Sequence, residues 1–329
     1  MVEVIKTVDL KKYFPYEKSI FKVKSYIKAV DGVTVSLNPG EIVGLVGESG
    51  SGKTTLGKVL AKLEDPTDGK VFFCGEDVTK IKGEQLKVFR RKVQMIFQNP
   101  YTSFDPRYNL YSSLLEPLTT HDIGETPEEK IGIMSKILEE VGLFPAEEFL
   151  YRYPHEMSGG QLQRASIARA MILNPQLLIA DEPTSMLDAS IRVGILNLIM
   201  KIKNEHQSTV LFITHDIATA KHICERIVVM YLGKVVEIAE TEEIIENPMH
   251  PYVIALTGSV LTANPKAPEV EIKISGEPHL SINPVGCRLG PRCPYVEEIC
   301  KTEEPQLLEV KKGHFVACHK ISNSPKIER

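Results

Sequence analysis

Residues 47–55 read GESGSGKTT; an apolar run, EIVGLV (Glu41–Val46), precedes them and LGKVLAKL follows. The pattern G-x-x-x-x-G-K-[ST] between a strand and a helix is what a phosphate loop requires. Its glycines let backbone N–H groups converge on an anion, and the helix N-terminus adds partial positive charge. Gly47, Glu48, Ser49, Gly50, Ser51, Gly52, Lys53, Thr54 and Thr55 are therefore assigned to nucleotide binding. Lys53 is expected to reach the β and γ phosphates, and the Thr54 hydroxyl to ligate Mg²⁺; the loop alone leaves kinases, GTPases and many ATPases open.

Around this loop, short β-branched runs alternate with helical patterns, the signature of a layered α/β domain. Strands are predicted at Glu41–Val46, Val93–Gln98, Leu177–Asp181 and Thr209–Thr214. A stretch from about 105 to 172 carries helix-period segments such as PEEKIGIMSKILEEVGL and reads as an inserted helical subdomain. The proline-rich stretch Asn247–Pro284 reads as an irregular connection to a cysteine-bearing tail.

Composition narrows the function. The 329 residues hold 39 basic and 43 acidic side chains, a formal charge of -4, which argues against nucleic acid as a partner. No run approaches the roughly 20 apolar residues that span a bilayer. The N-terminus, MVEVIKTVDLKKYF, lacks a signal peptide's apolar core, so the chain is expected in the cytosol, where thiols stay reduced.

LLIADEPTS ends a buried strand with two adjacent carboxylates. Successive strand side chains point to opposite sides, so they divide the work. Asp181 suits the Mg²⁺ shell, and Glu182 suits orienting or deprotonating the attacking water. His215, one strand later, is the further catalytic candidate.

Between these motifs lies YPHEMSGGQLQRASIARAM, which resembles the signature of ATP-binding cassette ATPases. Gln98 in VQMIFQNP resembles that family's Q-loop, SMLD (Ser185–Asp188) its D-loop, and His215 in FITHD its switch histidine. The resemblance implies a P-loop NTPase core of cassette type over residues 1–250 and an extension over 251–329. It also implies that Gln98 serves catalysis and the Mg²⁺ site, that His215 contacts the γ-phosphate, and that Asp188 serves the nucleotide. Ser158 with Gln161 has the form of a capping box opening a helix, and Gly159 and Gly160 leave that N-terminus open to an anion. In the family this signature faces the phosphate loop of a second cassette, so ATP is sandwiched in a head-to-tail pair. LKKYF resembles the family's adenine-stacking segment; Phe14 is the expected ring and Tyr13 the alternative. Met157 and Met186 depart from the usual leucine and alanine.

NPYTSFDPR, YPHEMSGGQLQR and NPMHPYVIAL resemble the ATPase subunits of oligopeptide and dipeptide importers, and the unbroken SGGQ resembles the second, F-type, of the two paired subunits. This implies ATP hydrolysis that powers solute import. The partners would be a second, usually different cassette, two transmembrane permease subunits and, indirectly, an external solute-binding protein. The place would be the cytoplasmic face of the membrane. The cargo stays open between peptides, oligosaccharides and metal; the alternative is a soluble cassette ATPase not coupled to transport. Phe104 and Tyr108 are expected as apolar anchors for a membrane subunit.

Four cysteines, Cys287, Cys293, Cys300 and Cys318, crowd the tail with five, six and seventeen residues between them. Structural zinc prefers tighter C-x₂₋₄-C pairs. The wider gaps, and a proline directly after Cys293, lead to the expectation of a [4Fe–4S] cluster, with zinc as the alternative and His314 or His319 as substitute ligands. Cys74 and Cys224 are expected to be buried apolar residues.

Overall fold

The computed structural model describes residues 2–19, 22–261, 274, 276 and 284–322. Ahead of the phosphate loop the chain forms β1 (Ile5–Ser19), β2 (Lys22–Val33) and β3 (Ser36–Leu37), and β4 (Ile42–Val46) leads into it. With β5 (Asp68–Phe73) and β6 (Glu76–Asp77), the first strands build an antiparallel sheet in the order β2-β1-β5-β6, β3 pairing with β1. The later strands are β7 (Val93–Ile96), β8 (Leu177–Asp181), β9 (Thr209–Thr214), β10 (Arg226–Tyr231), β11 (Lys234–Glu240), β12 (Leu308–Lys311) and β13 (His314–Val316). They join β4 in the order β12-β13-β11-β10-β4-β9-β8-β7, parallel from β10 to β7.

A sheet covered on both faces needs apolar residues at every position of its central strands. Strand alternation then divides them between two cores. Ile42 and Val46 of β4, Leu178 and Ala180 of β8, and Val210 and Phe212 of β9 face one cluster, shared with the inserted helices. Val43 and Leu45, Leu177 and Ile179, and Leu211 and Ile213 face the other, shared with Leu10, Val30 and Val71 of the antiparallel sheet and Leu56 and Leu60 behind the phosphate loop.

The inserted segment holds helices Leu110–Thr120, Pro127–Glu140, Ala146–Leu150 and Gly159–Met171. The first two are started by side-chain caps: Asn109 accepts from Ser112 N, and Thr126 from Glu129 N with Pro127 directly after it. Leu114, Leu118, Met134 and Leu138, spaced one turn apart within each helix, are fully buried.

Two expectations change. Residues 251–261 are helical rather than irregular, since Pro251 opens the helix Pro251–Leu261 where a missing N–H costs nothing. The rest of the proline-rich stretch, apart from residues 274, 276 and 284, lies outside the described residues. Cys74 is exposed, because it sits at a turn with φ +49 between β5 and β6, while Cys224 is buried and its thiol is pushed up by that burial.

The tail returns to the core sheet. β13 pairs antiparallel with β11, and His314 Nε2 lies 2.7 Å from the carboxylate of Glu237, both groups buried. Glu237 also accepts from Met249 N at 3.0 Å and His250 N at 2.8 Å, so three donors satisfy a carboxylate that could not stay buried alone. His250 Nδ1 accepts from Tyr252 N, and full burial drives its pKa down to about 3, so the fold holds the neutral ring. Unfolding releases a histidine of ordinary basicity, so stability is intact above about pH 6.5 and falls as the pH drops toward 3. Acidification from pH 7 to 5 should cost about 2 kcal/mol through this group. The shift in denaturation midpoint over that range should shrink in His250→Gln.

Candidate nucleotide site

β4 delivers the chain into a loop with no room for side chains at two points. A Cβ on Gly47 would lie 2.1 Å from the carbonyl oxygen of Met230, and one on Gly52, at φ +101, would lie 1.9 Å from that of Ala29. Glycine at both positions lets the loop press against β10 on one side and β2 on the other. The helix Lys53–Leu60 starts at the loop's end, without a side-chain cap, so its first N–H groups face the cradle.

Lys53 is buried, and its ammonium donates to the carbonyls of Gly47 at 2.6 Å and Glu48 at 2.9 Å. Burial lowers its pKa, while Glu182, Asp181 and Glu48 pull it back up. Thr54 Oγ1 donates to Asp181 Oδ1 at 3.0 Å, which joins two of the three groups expected around Mg²⁺, Gln98 being the third. Burial raises the Asp181 carboxyl, and Glu182 adds to that; the Thr54 hydrogen bond and Lys53 work against it. A divalent cation beside Asp181 would favour the ionised form further.

Glu182 sits in the left-handed region at φ +44, uncommon for a residue with a side chain, and its N–H donates to Ile213 O at 2.9 Å. Its carboxylate has two partners. Gln98 Nε2 donates to Glu182 Oε2 at 2.9 Å, and His215 Nδ1 lies 3.1 Å from Oε1. Two groups, from beyond the ends of β7 and β9, thus converge on the carboxylate that follows β8, an arrangement suited to positioning an attacking water.

Ser158 and Gln161 form the reciprocal box: Gln161 N donates to Ser158 Oγ, and Ser158 N to Gln161 Oε1. The two glycines between them differ in their surroundings. A Cβ on Gly160 would lie 2.8 Å from Ile191 Cγ2, so this glycine admits the helix Ala189–His206, whereas Gly159 is partly exposed. Among the described residues no hydrogen bond or ion pair joins residues 158–161 to the phosphate loop. Asp188 is exposed at the start of Ala189–His206, and Met186 beside it is 59% exposed.

Tyr13 and Phe14 occupy opposite faces of β1. The Tyr13 hydroxyl makes a short hydrogen bond to Asp31, and Lys12 Nζ lies 5.0 Å above the Phe14 ring. Of the two expected anchors, Tyr108 is exposed, but Phe104 is buried beneath the guanidinium of Arg169, so packing takes it out of any docking surface. Arg169 also donates to Ser103 O at 2.6 Å, which ties the segment after Gln98 to the signature helix.

The tail cysteines gather around a shared environment. Cys287 N donates to Cys300 O at 2.8 Å, an approach that Gly286 at φ +72 permits. Burial pushes the Cys287 thiol up to about 11, opposed by the backbone N–H groups of Leu289 and Gly290; Cys300 and Cys318 raise it further. Burial likewise raises Cys293 and Cys318, against backbone donors at Tyr295 and at Lys320 and Ile321. Among the described residues, no three His, Cys, Asp or Glu side chains stand at metal-holding distances. His314 is committed to Glu237, and His319 Nε2 lies 3.0 Å from Glu303 O, so neither points to a substitute ligand.

Sequence reasoning did not find Arg292 and Tyr252, both of which touch the phosphate loop: Arg292 Nη1 lies 3.0 Å from Glu48 Oε2, and Glu48 N donates to Tyr252 Oη at 2.8 Å. They lie 244 and 204 positions downstream of Glu48, so no local pattern signals them.

A phosphate loop, a strand-end acid pair with its glutamine and histidine, and a separate capped signature helix define an ATPase of the cassette class. Residues 30–185 match the ABC transporter family model, and residues 236–300 match the oligopeptide/dipeptide transporter C-terminal region. Aligned over 97% of its length, the chain is 44% identical to the oligopeptide transport ATP-binding protein AppF of Bacillus subtilis, of which 98% is covered. It is 40% identical to the dipeptide transport ATP-binding protein DppF of Haemophilus influenzae, over 97% of each chain. A solved dimeric, post-hydrolysis state of the ATP-binding cassette MJ0796 bound to ADP and Pi superposes with a TM-score of 0.64 at 30% identity, covering 72% of this chain and 98% of that one. The chain belongs to the ABC transporter ATPases.

Glu182→Gln keeps the size and hydrogen-bonding capacity of the side chain but removes the carboxylate expected to act as the base. Steady-state turnover should fall by roughly 10²-fold or more while ATP still binds. Lys53→Ala should instead weaken binding itself, as titration with a fluorescent nucleotide would show. Parental turnover in Glu182→Gln would remove Glu182 from its role.

Proposed function

We propose that the chain hydrolyses ATP to power import of oligopeptides or dipeptides, working in a head-to-tail pair with a second cassette beneath two membrane-spanning permease subunits. The observation that carries the pairing is the exposed signature end, Ser158 and Gly159, which has no hydrogen bond or ion pair to the chain's own phosphate loop among the described residues. Such a helix terminus suits the γ-phosphate held by another chain. Exposed Met186 and Asp188 suit the same interface. The peptide reading rests on the names of AppF and DppF and on the matched C-terminal region. The unbroken SGGQ favours a different chain as partner, and an external solute-binding protein would present the cargo, with oligosaccharides as the alternative class. The site would then lie at the cytoplasmic face; no described helix is long and apolar enough to cross a membrane. Within the chain, residues 1–250 would form the cassette and 251–329 the extension.

Phe14 is assigned to adenine, since the Tyr13 hydroxyl is already held by Asp31. Tyr108 and Tyr101, both more than half exposed next to the Gln98 segment, are assigned to the permease contact. The four tail cysteines are assigned to a [4Fe–4S] cluster: backbone N–H groups already aim at three of the sulfurs, as thiolate ligands require. Such a group would fasten the tail and supplies no step of hydrolysis.

Co-expression with the candidate permease and partner cassette should place the chain on membranes, and vesicles should take up a labelled peptide only with ATP. Glu182→Gln should abolish uptake without loss of assembly. Free solubility beside those subunits would sink the transport reading. Protein purified without oxygen should be brown with about four irons per chain; a colourless preparation with one zinc would replace the cluster by zinc.

A further inference from the structure

An acid in the middle of a phosphate-binding loop needs an explanation. Glu48 places a carboxylate among groups that must attract ATP, on the residue whose backbone carbonyl takes the Lys53 ammonium at 2.9 Å. Its charge is met from the far end of the chain. Arg292 donates to both carboxylate oxygens, at 3.0 and 3.4 Å, and to Tyr231 Oη at 3.1 Å, with only 11% of its side chain exposed. The ring of Tyr231 packs 4.7 Å from that of Tyr252, whose hydroxyl takes the Glu48 N–H. A second arm lies four residues upstream: Arg288, 7% exposed, pairs with Asp31, which also holds the Tyr13 hydroxyl, and donates to Leu232 O at 3.1 Å. Leu289 between the arms is 2% exposed and anchors the segment in the core.

We propose that segment 287–293 of the tail is an intrachain clamp on the nucleotide site, with Arg292 as a positioning residue that neutralises Glu48 and so frees Lys53 for the phosphates. Without Arg292, Glu48 competes with ATP for Lys53, and affinity falls while chemistry at Glu182 continues. Because Cys287 and Cys293 bracket both arginines, the arrangement of the thiol region is read out as nucleotide affinity.

The test uses the full chain and its ATPase activity, so it stands or fails independently of any transport partner. Arg292→Gln should raise KM for ATP about tenfold, the scale of one charge-assisted hydrogen bond, with kcat within about twofold. Arg292→Lys should recover most of the loss. In a Glu48→Gln background the same Arg292→Gln change should move KM less than about twofold, since the charge to be neutralised is gone. A parental KM in Arg292→Gln, or an equal rise in both backgrounds, overturns the proposal. Hydrogen exchange on the unsubstituted protein checks it without relying on a variant that folds: a non-hydrolysable ATP analogue with Mg²⁺ should slow exchange across 287–293, and unchanged exchange there overturns the clamp.

Discussion

The phosphate loop is gripped between two backbone carbonyls, Met230 O from the core sheet and Ala29 O from the antiparallel sheet, each too close to admit a methyl group. Everything else in the site inherits its position from that grip. It fixes the start of Lys53–Leu60, hence Thr54, hence the hydrogen bond to Asp181 that joins loop and β8. It also brings the two sheets into contact at the point where the nucleotide binds, so the layers cannot slide without disturbing the cradle.

From that point the strand ends act as a ruler. β7, β8 and β9 are adjacent and parallel, so Gln98, Glu182 and His215 emerge at the same end of the sheet within hydrogen-bonding reach. The segment after Gln98 then runs to Ser103, which Arg169 of the signature helix holds. A change at Glu182 therefore has a continuous covalent and hydrogen-bonded route to the surface around Tyr108.

What could be read in advance was whatever is local. A loop of nine residues between an apolar run and a helix, a pair of acids ending a strand, and a serine three residues before a glutamine each carry their geometry in consecutive positions. Strands at 177–181 and 209–214 were legible because a run buried on both faces is apolar throughout. The burial of Phe104 was not, since an aromatic in a loop has no periodicity and its fate depends on Arg169, 65 positions later. The close approach of Ile191 to Gly160 was not legible either, since the two lie 31 positions apart. The helix at 251–261 was hidden by counting its first proline as a breaker rather than a starter. Arg292 and Glu48 meet through a tertiary contact that composition leaves invisible.

The tail's return to the core sheet also matters for solubility. β11, paired with β10 on one side, would otherwise present an open edge of mostly buried residues, a template for pairing with any extended chain. β13 occupies it, and the new edge, β12, is four residues long, with Glu309 and Lys311 exposed. At the opposite edge, β7 is equally short and is preceded by Arg90, Arg91 and Lys92. Both borders are thus brief and charged, and a sheet built this way is kept from polymerising edge to edge.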